Sequence, residues 1–421
     1  MTSAANSNPP SAPSIKPESR AAKSKPPQSF RRGFKRLVFS LIPLVVLDML
    51  LTLIVCRDGR LLNWPLPPYS LIFNEEQAGH LDRLGHDPDP YRRFDAELGW
   101  SFHPNGATPD GARRANSAGI RAGREYTLEA PAGVLRIGAF GESFTHCHGF
   151  EHETWPYLLA QQGSNVEVLN FGVSGFGTDQ VLLRYRRDGV AFHPRVVLIG
   201  FMLENILRNV SVYRPAYFHG TGDVAVKPRF RLNASGQLEL IPCPVSSVEE
   251  LREAVRSGSL TATLMETDYW VQRAPIAYRR SMLHWSGLYR IVCGLYENLA
   301  RDQHLYYRNT ESEPFRVTCE ILRTFRAEAL SNGAERVLVV VFPDKDTVVE
   351  RMEGGAGYWE SLLTFLNQAG IESIDLTPAL VELTRSEGIR AVYQHAHPTP
   401  LANGVIAKTL AERLGLDEPR R

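Results

Sequence analysis

Five apolar runs of strand length, at 134–140, 166–171, 196–201, 336–342 and 372–376, dominate the second half of the sequence. Helical stretches lie between them at about 154–162, 178–189, 315–331 and 358–369, and a last helix follows "HPTP" and ends before Gly415. Strands alternating with helices demand a parallel sheet covered on both faces. The expected fold class is α/β: a flavodoxin-like, doubly wound parallel sheet of about five strands. In such sheets chemistry collects at the carboxyl ends of the strands. No internal repeat is apparent.

The alternation breaks between residues 205 and 314, too long a gap for a loop without structure of its own. It contains "SSVEELREAVRSG" and "MLHWSGLYRIVCGLYENLARD", both helix-like. Residues 206–314 therefore read as a partly helical insertion that covers one edge of the site, a candidate lid or substrate-selecting element. Residues 57–132 hold many Pro, Gly and Arg; "FDAELGWSFHPN" and "ANSAGIRAG" look like short extended pieces leading into the main domain at 133–415.

Net charge is +1, so the whole chain offers no electrostatic argument for nucleic acid. The charge is uneven. Residues 1–36 carry Lys16, Arg20, Lys23, Lys25, Arg31, Arg32, Lys35 and Arg36 against Glu18, and are rich in Pro, Ser and Ala, the composition of a disordered tail. "LVFSLIPLVVLDMLLTLIVC", residues 37–56, follows at once and has the length of a membrane-crossing helix. Pro43 is tolerable there; Asp48 is a blemish that costs a few kcal/mol near the bilayer centre. No small-residue cleavage site follows, and Val55 is too bulky to precede a lipid-modified Cys56. The basic flank places the tail in the cytoplasm and residues after 57 outside it, so the expectation is a single-pass protein of the cell inner membrane with its main domain on the periplasmic side. Cys56, Cys147, Cys243, Cys293 and Cys319 are too few and scattered for a disulfide framework; they read as free thiols, with one soluble-side pair left open that spacing does not name.

Four weak signals sit at strand ends. Ser143, in "VLRIGAFGESFTHCHGF", follows the first strand and precedes a helix; alone it is more often a helix cap than a nucleophile. Thr145 stands where a hydrolase elbow G-x-S-x-G needs its second glycine, and no lysine follows Gly141 as a phosphate loop requires. "LNFGVSGFGTDQ" ends the second strand, and its Gly172, Gly175 and Gly177 allow sharp turns whose N–H groups can face developing charge. Asn205 lies just beyond the third strand, where its amide can donate to an oxyanion; Asn209 is the weaker candidate. His397 stands two residues ahead of the N-cap Thr399 and the N1 residue Pro400, held over the strand ends as a potential base.

Taken in chain order, these blocks resemble the SGNH hydrolases, the GDSL esterase and lipase group. "FGESFT" is similar to their first block, "GVSGFGTD" to the second, "FMLENIL" to the third and "QHAHP" to the fifth, over about residues 134–414 apart from the insertion. "ELGWSFHPN" with "NSAGIR" resembles the extension of membrane-anchored bacterial members. The resemblance implies Ser143 as nucleophile, His397 as base, and Ser143 N–H, Gly175 N–H and the Asn205 side chain as oxyanion hole. Glu142 replaces the usual Asp, Glu204 and Ile206 flank Asn205 in place of Gly and Asp, and Gln394 occupies the position of the triad acid. A glutamine can orient imidazole through its amide oxygen but brings no charge. His395 or Asp375 are alternatives without the right spacing.

The cluster "THCHGFEHE" gathers His146, Cys147, His148 and His152, with spacings that fit no structural zinc pattern. No metal and no cofactor is expected. The function implied is a membrane-anchored serine esterase acting on an ester-bearing small molecule, lipid or polysaccharide. The alternatives are an O-acyltransferase for a cell-envelope polymer and a catalytically impaired binding or scaffold member of the same fold. Sequence names neither the acyl chain, the alcohol, nor an oligomeric state.

Overall fold

The computed structural model describes residues 28–416 apart from 57, 58, 63, 85, 87 and 88. Helix α1 (Gln28–Leu50) comes first, prolonged by a π-turn at Leu51–Val55. The disordered-tail expectation falls on residues 1–27, outside the described residues, except that 28–36 form the opening turns of α1. Within α1 and its π-turn, Val38–Val55 is apolar enough to be a candidate membrane span.

An antiparallel hairpin follows, β1 (Arg92–Asp95) with β2 (Gly99–Phe102), where "FDAELGWSFHPN" led us to expect extended chain. "ANSAGIRAG" is a turn instead. The Asn116 carboxamide oxygen accepts from the N–H groups of Ala118 and Ile120, both at 3.0 Å, so the backbone is satisfied locally and makes no ladder.

The main domain then alternates as its apolar pattern requires: β3 (Leu135–Phe140), α2 (Ser143–His146), α3 (Trp155–Ala160), β4 (Val166–Asn170), α4 (Thr178–Arg184), β5 (Val196–Met202) and α5 (Asn205–Arg208). The insertion supplies a hairpin, β6 (Arg229–Leu232) and β7 (Leu238–Ile241), and helices that include α6 (Val248–Ser257) and α7 (Gly287–Leu299). After it come α8 (Glu313–Ser331), β8 (Arg336–Phe342), α9 (Glu360–Gln368), β9 (Glu372–Asp375), α10 (Thr377–Glu387), a two-residue ladder of β10 (Tyr393–Gln394) with β11 (His397–Pro398), and α11 (Pro400–Leu414).

The central sheet is parallel, with neighbours β9-β8-β5-β3-β4. Counted in sequence, that is the order 2-1-3-4-5 of a flavodoxin-like doubly wound sheet, and the winding reverses between β3 and β5. Side chains alternate between two cores, as a pleated strand must arrange them. Leu198, Leu338 and Val340 face Trp155 of α3, Leu380 of α10 and Ile406 of α11. Ile199, Val339 and Val341 face Val181 of α4, Phe325 of α8 and Leu362 of α9.

The second core continues without a break into the extension and the insertion: Trp100, Phe102, Tyr213, Leu251, Trp270 and Tyr307 all belong to it. Two buried carboxylates fasten the insertion. Asp268 accepts from Ser211 Oγ and from the backbone N–H groups of Val212, Tyr213, Trp270 and Val271. Asp179, in the first turn of α4, pairs with the buried Lys227 ammonium. The insertion is thus built as a wall of the domain rather than as a detached lid.

Candidate active site

The site begins where β3 stops. Gly141 leaves room for Thr145: a Cβ at Gly141 would stand 2.1 Å from Thr145 Oγ1. Ser143 opens α2, a single turn, with 6% of its surface exposed. The loop after β4 comes equally close, since a Cβ on Gly172 would lie 2.3 Å from His146 N. Only glycine permits that approach.

On the other side of the reversal, the chain entering α11 delivers an imidazole. Thr399 caps the helix, accepting from Ala402 N at 3.3 Å, with Pro400 at the first helical position as expected. Two residues earlier, His397 Nε2 lies 3.0 Å from Ser143 Oγ, and Nδ1 lies 2.9 Å from the carbonyl oxygen of His395. A carbonyl only accepts, so the proton sits on Nδ1 and Nε2 presents its lone pair to the serine hydroxyl. That is the tautomer a general base needs.

The chain achieves this through a tight turn. Gln394 and His397 face each other across the β10–β11 ladder, and the two residues between them, His395 and Ala396, have φ of 46° and 65°. Both are left-handed, which is how a two-residue loop matches the twist of its strands. The turn tips the His395 carbonyl under the imidazole.

Gln394 is therefore corrected. Expected in the place of the triad acid, it is exposed, and it meets His397 only as a strand partner. Asp375 also has other work: its carboxylate accepts from Thr377 N and Oγ1 and from Trp359 Nε1, starting α10. The third group on the imidazole is a backbone carbonyl, which no side-chain pattern could have announced.

Asn205 requires a second correction. It is fully buried, and its Nδ2 donates to Glu142 Oε2 at 3.2 Å and to Thr178 Oγ1 at 3.3 Å. Both amide hydrogens are engaged, so Asn205 braces the loops instead of aiming a donor at an oxyanion. Glu142, which stands in place of the usual Asp, is the acceptor in that brace, and burial raises its carboxyl pKa above the usual 4.5. Asn209 caps α4 by accepting from Thr178 N at 2.7 Å. Among the described residues, Ser143 N–H and Gly175 N–H have no acceptor; Gly175 has φ of 84°.

Burial is the largest influence on His397 and lowers its pKa below the usual 6.5; the His395 carbonyl opposes it. Arg208 lowers it further and Glu204 raises it. Those two are paired at 3.1 Å, Arg208 Nε to Glu204 Oε1, so their charges offset each other. A cavity of about 590 Å³, bounded by Leu207, Tyr217, His219, Asn298 and Leu299, reaches Glu204.

The "THCHGFEHE" side chains have four different environments. His146 Nε2 lies 2.8 Å from Tyr91 OH, and the Cys147 thiol lies 3.8 Å from Asn403 Oδ1. The His148 ring packs tilted at 36° against His397 with centroids 3.9 Å apart, and His152 stacks on Phe150. All five cysteines are free.

A 2-1-3-4-5 parallel sheet with the serine and histidine loops meeting at the point of reversal is a specific arrangement. The chain has a flavodoxin-like, doubly wound fold. No family model matches the sequence, and no curated protein matches it. Similar solved structures include LAE5, an alpha/beta hydrolase enzyme from the metagenome of Lake Arreo, at 11% identity and TM-score 0.36, covering 70% of this chain and 100% of that one. A lipase/acylhydrolase from Enterococcus faecalis is similar at 13% identity and TM-score 0.34, covering 68% and 100%. A catalytic mutant of Axe2, an acetylxylan esterase from Geobacillus stearothermophilus, is similar at 11% identity and TM-score 0.36, covering 68% and 97%. Likeness at this level carries nothing about the chemistry of the site, which rests on its own atoms.

Proposed function

We propose that this chain is a serine esterase anchored in a membrane by α1, with its SGNH-type domain on the periplasmic side of the inner membrane. The observation that supports the reading is the Ser143–His397 contact at 3.0 Å with the imidazole proton fixed on Nδ1. Ser143 Oγ attacks the ester carbonyl carbon while its proton passes to His397 Nε2. The carbonyl oxygen becomes an oxyanion facing the unpaired N–H groups of Ser143 and Gly175. The tetrahedral adduct then collapses: the C–O bond to the alcohol breaks, and His397 returns its proton to the leaving oxygen. Water, activated by the same imidazole, hydrolyses the acyl-enzyme. Orientation of the anchor follows from the basic residues ahead of α1, which favour the cytoplasmic side.

The test uses the full chain in detergent. Wild type should hydrolyse short-chain aryl esters and take up a fluorophosphonate probe on Ser143, and Ser143→Ala should do neither. Undiminished ester turnover by Ser143→Ala would overturn the reading.

A further inference from the structure

The insertion touches α1 at an unusual depth. Asp48 Oδ1 accepts from Ser286 Oγ and from Leu288 N, both at 2.8 Å, and Thr52 Oγ1 accepts from Gly287 N at 2.8 Å. The acidic residue that looked misplaced in an apolar run thus caps the amino end of α7, where the helix dipole welcomes a negative charge. Its cost in lipid falls accordingly, because the carboxylate is hydrogen-bonded within the protein.

Depth then follows from length. The candidate span Val38–Val55 has 18 residues, about 27 Å of helix. A bilayer core of about 30 Å needs all of it. Asp48 and Thr52 therefore lie within the half of the bilayer that receives the carboxyl end of α1, and the α7 terminus bonded to them must reach that depth too.

The surface found there suits lipid. In the 3₁₀ turn Met282–Trp285, Met282 is 89% and Trp285 84% exposed, with Leu283 also open. Along α7, Val292, Leu295, Tyr296 and Leu299 are all exposed, a spacing of i, i+3, i+4, i+7 that makes one apolar stripe. Exposed apolar surface of this kind marks an interaction site. Exposed Arg279 and Arg280 immediately precede the turn and supply cations for lipid phosphates.

We propose that the turn Met282–Trp285 and the outward face of α7 are embedded in that bilayer leaflet, so that the insertion docks the domain onto lipid. The proposal rests on α1 spanning the membrane and is independent of the Ser143 chemistry. Its far end, Asn298 and Leu299, borders the cavity that reaches Glu204, which ties the docked face to the surroundings of His397.

Full-length protein in nanodiscs tests this, with phosphatidylcholine brominated on its acyl chains as quencher. The chain has 6 tryptophans, so bromolipid should remove on the order of one-sixth of the emission from wild type. Trp285→Phe should abolish that component while its ester turnover stays at the wild-type level. Equal loss of intensity in wild type and Trp285→Phe would overturn the proposal, as would the absence of quenching expected if a second copy of the chain covered the patch. Carbonate extraction reads α1 separately: a chain retained by the membrane but unquenched at Trp285 loses only the docking, whereas a chain released by carbonate loses anchor and docking together.

Discussion

At His397, two neighbours decide what the ring can do, one at each nitrogen. The His395 carbonyl fixes the tautomer but brings a dipole, not a charge, so the imidazolium of the proposed attack would be stabilised less than beside a carboxylate. Because Gln394 is exposed and outside that chain of contacts, Gln394→Ala should keep kcat/KM within about threefold, whereas His397→Ala should lower it by about 10²- to 10⁴-fold. The pH profile separates the roles further. The base works when deprotonated, and burial lowers its pKa, so the acid limb of kcat/KM should lie below pH 6.5. The limb for Gln394→Ala should superimpose on it; a shifted limb would return Gln394 to the imidazole.

Among the elements, the β10–β11 ladder carries the largest local strain. Left-handed conformation costs a residue with a Cβ about 1–2 kcal/mol, and here two adjacent residues adopt it. Exposed Ala396 touches the site only through its backbone, so Ala396→Gly should stabilise the protein by about 1 kcal/mol in urea unfolding with turnover within about twofold. A loss of stability would mean the turn is not strained. This ladder was not legible in the sequence, because "QHAH" contains none of the Asn or Gly that usually announces such a turn. The sheet was legible for the opposite reason: runs such as Arg336–Phe342 are buried along almost their whole length, and no surface pattern dilutes them. α10 went unread because two of its four buried residues, Thr377 and Thr384, are threonines, which blur an apolar stripe. At the site, position put Ser143 at a strand end and His397 beside a cap, but it took the order of all four blocks to single the two out. The engagement of Asn205 by Glu142 was not legible, since it depends on which way a buried amide turns.

Across the whole molecule, the extension, the sheet and the insertion share one core, and the extension's Tyr91 holds His146, three residues from Ser143. That shared burial has a pH consequence. His146 is 1% exposed, and burial first, then Arg121 and His148, hold its pKa well below the usual 6.5. In the unfolded chain the same ring takes a proton near pH 6.5. Below that pH the unfolded state binds a proton the folded state refuses, so the contribution of His146 is complete above about pH 6.5 and is lost as pH falls toward the folded pKa. Each unit in that window costs about 1.4 kcal/mol per such group. Glu142 acts with the opposite sign, because its raised pKa lets the folded state take up a proton first, so the net loss is smaller than the histidines alone would give. A difference experiment isolates one ring. His146→Phe gives up the contact with Tyr91 OH and should be the less stable protein at pH 7.5. Between pH 6.5 and 5.5, however, where the unfolded ring goes from half to almost fully protonated, it should lose about 1 kcal/mol less than wild type in urea unfolding of the full chain in detergent. Parallel losses in the two proteins would show that His146 takes a proton in the folded state, and that the packing of the extension over the catalytic loop does not exclude it.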